Sequence, residues 1–76
     1  GDKIMQFDNL GMVERKVLGA LIIMADDEKT AKASLKDIAD IIGYKAVGGA
    51  LTFAVKILER DNFIVRDNKG IYKLLI

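Results

Sequence analysis

The chain has 76 residues, 51% of them hydrophobic and 30% charged, with 12 Lys plus Arg against 11 Asp plus Glu for a net charge of +1. That is the composition of one small globular domain, and its bulk charge names no partner. With neither Cys nor His, disulfides, thiolate nucleophiles, histidine general bases and the usual zinc ligands are excluded, leaving only carboxylates for hard cations. Residues 1–8 read as an N-terminal arm with apolar anchors at Ile4, Met5 and Phe7, and residues 9–76 as the domain. Gly1 stands where a Met would start a chain, which raises the expectation of a fragment of a longer protein. The longest uncharged apolar run, Val17 to Ala25, is nine residues, against the roughly 20 of a membrane helix, and no signal-peptide pattern precedes it. A single core of this size seldom supplies more than about 3–5 kcal/mol, so either the helices pack tightly or a partner subunit contributes.

Asp8 or Asn9 can cap a first helix, predicted over 9–26. Its apolar positions Leu10, Val13, Val17, Ala20, Leu21 and Met24 recur at spacings of three and four and form one stripe. Asp26-Asp27-Glu28 oppose the helix dipole and should end it, opening a polar loop to residue 33. Ser34-Leu35-Lys36-Asp37 has the form of a capping box, with a hydroxyl at the N-cap and a carboxylate three residues on. It starts a second helix over 34–43, with Leu35, Ile38, Ala39 and Ile42 on its inner face and Gly43 as the left-handed stop. A third helix over 48–60 carries Leu51, Ala54, Val55 and Leu58 inward, with Val47 one turn earlier as a further inward position. It ends at Asp61-Asn62, and Gly48-Gly49 makes its beginning weak. The period then changes. Residues 63–66 and 71–76 are rich in β-branched and aromatic side chains around the turn Asp67-Asn68-Lys69-Gly70, which is a β-hairpin. A hairpin alone is not stable, so it must lie on the helices, with a third short strand from around Lys32-Ala33.

Leu35-Lys36-Asp37-Ile38-Ala39-Asp40-Ile41-Ile42-Gly43 is similar to the first helix and turn of a helix-turn-helix, with small Ala39 letting a second helix cross closely. Leu58-Glu59-Arg60-Asp61-Asn62-Phe63-Ile64 resembles the exit from a recognition helix into a wing strand. Together, over residues 10–76, the chain resembles the winged helix-turn-helix DNA-binding superfamily. The resemblance implies a small α+β fold of three helices and a C-terminal wing, with duplex DNA bound through the third helix and wing. It also implies a role in transcriptional, plasmid or phage regulation, and an intracellular location, cytoplasmic and nucleoid-associated. One departure is that Gly48-Gly49 falls where the recognition helix normally starts reading bases, and glycines have no side chains for that purpose.

On the third helix Thr52, Lys56 and Arg60 are expected to point outward with Phe53 flanking them. Thr52 and Phe53 suit a thymine methyl, and Lys56 and Arg60 suit bases or phosphates; the alternative is an ordinary solvated face, with Phe53 covering core or a partner. Residues 1–38 carry −1 and residues 39–76 carry +2, with Lys45, Lys56, Arg60, Arg66, Lys69 and Lys73 on the turn, third helix and hairpin. Positive charge there is what phosphate contact needs. Gly43 and Gly48-Gly49 echo half a P-loop, but the Lys and hydroxyl that must follow are missing. The bare backbone at Gly49 could instead approach a DNA phosphate, or the glycines could form a tight or flexible turn. The DNA-contact candidates are therefore Lys45, Gly49, Thr52, Phe53, Lys56, Arg60, Arg66 and Lys69.

Asp26-Asp27-Glu28 are consecutive and lack the alternating ligand spacing of a cation loop, so they read as solvated. Ser34, Thr30 and Thr52 have no His to activate them. No catalytic constellation, metal site or cofactor is expected, and no enzyme activity. Opposite the stripe of the first helix lie Met12, Gly19, Ile22 and Ile23. A helix apolar on both sides is buried on both sides, here either under the arm or in a homodimer interface. The competing reading of the whole chain is a winged-helix protein-interaction module of a larger complex that does not touch DNA.

Overall fold

The computed structural model describes residues 9–76. In chain order these form α1 (Met12–Met24), β1 (Thr30–Lys32), α2 (Leu35–Ile42), α3 (Gly49–Arg60), β2 (Ile64–Arg66) and β3 (Ile71–Leu74). The strands make one antiparallel sheet of order β1-β3-β2. This is the α+β winged-helix arrangement that the sequence predicts. Asp8 and the apolar anchors Ile4, Met5 and Phe7 lie outside the described residues.

The first helix starts later than the caps suggest. Gly11 is its N-cap, in place of Asp8 or Asn9. Glu14 reaches back and its Oε1 accepts the Gly11 N–H at 3.0 Å, which satisfies the entry from inside the helix. At the other end Asp26 organises the turn, its Oδ1 accepting from Glu28 N at 2.8 Å and Thr30 N at 3.1 Å. The chain therefore enters β1 at Thr30, slightly earlier than the strand expected around Lys32-Ala33.

Both bonds of the expected capping box are made at α2. Asp37 N donates to Ser34 Oγ at 3.1 Å, and Ser34 N donates to Asp37 Oδ2 at 3.0 Å. Gly43 ends the helix at φ 84, a conformation that costs glycine nothing. Asn62 ends α3 in the same way at φ 64, and Phe63 N then donates to Leu58 O at 2.9 Å.

The core joins Val17 and Leu21 of α1, Ile38 of α2, Leu51, Val55 and Leu58 of α3, and Ile64 of β2, all fully buried. Leu18, outside the expected stripe, is buried as well. The reason is that α1 packs against both other helices and also against β1 and β3, so its inner arc is wider than one stripe. Tyr72 and Leu74 of the central strand point inward and Lys73 outward, the alternation of a half-covered sheet. The turn of the wing is tied to the β1–α2 linker: Ala33 N donates to Gly70 O at 2.9 Å. Gly70 has φ 82, and a Cβ there would sit 3.2 Å from the Ala33 carbonyl oxygen, so both conformation and space require glycine. Among the described residues no helix is long and apolar enough to cross a membrane.

Candidate nucleic-acid interface

Helix α3 sits with Leu51, Ala54, Val55 and Leu58 buried. At 3.6 residues per turn, the residues opposite that stripe are Gly49, Phe53, Lys56 and Arg60, and all four are exposed. Phe53 lies along one edge of this ridge, across from Lys56, with 61% of its surface exposed. Thr52 is half-buried, and its hydroxyl donates to Gly48 O at 3.2 Å. It thus braces the first turn of α3 from the side, where the sequence places it outward with Lys56.

The segment before α3 departs most from a standard helix-turn-helix. Residues 43–48 separate the two helices, and Gly48 is an extended N-cap with no side-chain bond. The first turn carries no acid, and neither Gly48 nor Gly49 has any atom within 4 Å of where a Cβ would stand. Val47, expected as an inward extension of α3, is 40% exposed in the loop. The unfavourable helix propensity of two glycines stops α3 at Gly49, so Val47 never joins its periodicity. Tyr44 anchors the other end of this loop. It is half-buried, its N–H donates to Ala39 O at 2.8 Å, and Lys16 Nζ lies 5.8 Å from its ring centroid.

The two arginines are held inside the chain. Arg66 faces the covered side of the sheet beside Tyr72, and its Nε meets Glu59 Oε1 at 2.8 Å with both side chains about one-third exposed (31% and 33%). This pair ties the wing to α3. The sequence singles out Arg66 without its acidic partner, because Glu59 belongs to another element and only the tertiary fold brings them together. Arg60 pairs with its neighbour Asp61 at 3.1 Å on the surface. The hydrogen bond to Asp61, and then the charge of Asp61, hold the guanidinium above its ordinary pKa. Lys45, Lys56 and Lys69 are exposed and make no ion pair among the described residues. They come from the inter-helix loop, α3 and the wing.

The wing tip is shaped by Asp67. Its Oδ1 accepts from Lys69 N at 2.8 Å and Ile71 N at 3.1 Å, and these two bonds hold its carboxyl below the usual value. Between the wing, the start of α2 and Glu59 lies an open cleft of about 490 Å³, bordered by Ser34, Leu35, Arg66 and Asn68. On the far side of the molecule, Met12 and Ile23 are 73% and 75% exposed and Ile22 49%. Gly19 lies among them, and none of the described residues outside its own helix comes within 4 Å of a Cβ position there. Comparison of the chain with protein-family models, with curated proteins and with solved structures gives no match.

Proposed function

We propose that this domain binds duplex DNA, with α3 facing the major groove and the wing lying along the backbone, as in the winged helix-turn-helix superfamily that its sequence resembles. The observation that carries the reading is the outward ridge of α3. It presents Gly49, Phe53, Lys56 and Arg60 with no acidic residue among them, because the one acid of the helix, Glu59, is neutralised by Arg66. Lys56, with Lys45 before the helix and Lys69 on the wing, supplies cations that make no ion pair among the described residues, available for phosphate. Phe53 is the side chain on the ridge suited to a thymine methyl. Gly48 and Gly49 let backbone approach backbone closely, so the start of α3 serves for positioning and the middle for contact with bases. The domain then works inside the cell as a regulator of transcription, plasmid or phage functions.

The second reading is a protein-interaction winged helix. What favours it is Phe53 and Val47, two apolar side chains 61% and 40% exposed around α3, on a chain of net charge only +1. Fluorescence anisotropy on random duplex across a salt series separates the two. Three phosphate contacts per chain give a log–log salt slope of roughly −2.7, at about −0.9 per contact. Lys56→Ala should flatten it by about one contact, and Phe53→Ala should change sequence preference while leaving the slope in place. A folded protein that shows no duplex binding at low salt overturns the DNA reading in favour of the protein partner.

A further inference from the structure

We infer that the outer face of α1 is the interface of a two-fold homodimer, in which the α1 helices of two copies pack antiparallel, with Met12 of each copy against Ile23 of the other. Three observations converge. First, the middle of this face is apolar, and the exposed Arg15 and Lys16 flank it toward its N-terminal end. Glu14 folds back to the Gly11 N–H, Arg15 Nε donates to Leu10 O at 3.2 Å, and Lys16 lies over the Tyr44 ring. An apolar strip with Arg15 and Lys16 at one end and the exposed Asp26-Asp27-Glu28 at the other is self-complementary when turned end for end, as a two-fold interface must be.

Second, charge decides the direction. Asp26, Asp27 and Glu28 follow directly on the C-terminal end of α1 and are exposed. Parallel pairing would bring the acidic turns of both copies side by side. Antiparallel pairing separates them by a helix of 13 residues, about 20 Å. It sets each acidic turn beside the N-terminal end of the other helix, where the dipole is positive. Third, the shape fits a close crossing. Gly19 offers no side chain between Met12 and Ile23, and none of the described residues outside its own helix approaches within 4 Å of a Cβ there. Next to Ile22 a mainly apolar groove of about 360 Å³, walled by Ala25, Leu74 and Ile76 and also lined by Asp26 and Lys29, lies open for the second copy's Met12, an unbranched side chain that fills irregular space.

Three exposed large side chains and the groove fall at the low end of stable interfaces, below about 1,200 Å² in total. The dimer is therefore concentration-dependent, and it exists without DNA, so its test stands apart from the proposed function. Sedimentation equilibrium of the whole chain over a wide concentration range, without nucleic acid, should show a reversible monomer–dimer equilibrium. Ile23→Glu should weaken it by at least about tenfold, since two charges are buried per dimer, while leaving the helical circular dichroism intact. Gly19→Leu is the sharper variant. It fits the free protomer and improves helix propensity, so the melting temperature of the dilute protein should hold or rise while the dimer is lost. The chain has no cysteine, so Met12→Cys and Ile23→Cys chains, mixed and oxidised, should cross-link to each other in preference to themselves. A protein that stays monomeric at millimolar concentration overturns the inference. So does a dimer indifferent to both Ile23→Glu and Gly19→Leu. Preferential cross-linking of Ile23→Cys to itself overturns the antiparallel arrangement.

Discussion

Helices α2 and α3 meet across one loop and share one core, yet their N-termini are built in opposite ways. At α2, Ser34 and Asp37 exchange hydrogen bonds with each other's backbone N–H, and the carboxylate sits at the positive end of the dipole. At α3, Gly48 offers no side-chain bond and no acid occupies the first turn. The first arrangement adds local stability, uses two of the free amides and sets a carboxylate against any anionic ligand. The second gives up that stability and leaves the surface at Gly48-Gly49 bare. A helix whose purpose is packing can afford a carboxylate cap, whereas a helix that approaches a polyanion is better without one.

The comparison breaks most visibly if the two helices do not share the core equally. Ile38→Ala in α2 and Leu58→Ala in α3 each empty a fully buried site and should each cost about 2–5 kcal/mol in urea unfolding. Phe53→Ala, on the outward ridge, should stay within about 0.5 kcal/mol. A large loss at Phe53 would mean that the ridge is not free surface. The caps come next. Ser34→Ala should cost about 1 kcal/mol. Gly48→Asp should instead stabilise by a few tenths, since Gly48 is already extended (φ −119, ψ −179). It should also weaken duplex binding, because its carboxylate meets phosphate at the start of α3. An aspartate there that strengthens DNA binding would contradict the contrast drawn between the two helices.

Smaller effects sharpen the role of the wing. The Glu59–Arg66 pair is partly exposed and is worth about 0–1 kcal/mol, so Glu59→Gln should barely move the melting temperature. The same change removes the one acid of α3 and releases Arg66, and the salt slope of duplex binding should steepen by up to about 0.9. The smallest effect lies at the wing tip. The folded state holds the Asp67 carboxyl below its ordinary value of 3.8 because Lys69 N and Ile71 N donate to it. Its contribution is complete above that ordinary value and drains away as pH falls through the lower, folded-state value. Stability measured below pH 3.8 should therefore fall less steeply in Asp67→Asn, whose amide oxygen still accepts both bonds but does not titrate.

Much of this molecule is written in short stretches of sequence. The capping box at Ser34 and Asp37, the left-handed stops at Gly43 and Asn62, and the change of period after Asn62 each depend on residues within one turn of each other. Local chemistry therefore dictates them before any packing occurs. The inner residues of α2 and α3 follow from helical period alone. That Met12, Gly19, Ile22 and Ile23 fall opposite the core stripe of α1 follows from simple rotation, whereas their cover does not.

Tertiary structure decided what depends on residues distant in the chain. Leu18 is buried because the sheet as well as the helices packs on α1. Arg66 is turned inward because Glu59 of α3 waits beside β2, and Gly70 is required because the Ala33 carbonyl lies against it. Phe53 is exposed on the outward side of α3, and Thr52 is half-buried at its side, because the rotation of that helix is set by which four side chains the core accepts. A sequence specifies periods, caps and turns through neighbours along the chain. Which face of each helix is left over, and which charges remain unpaired on it, is decided only when elements from opposite ends of the chain come within a few ångströms of each other.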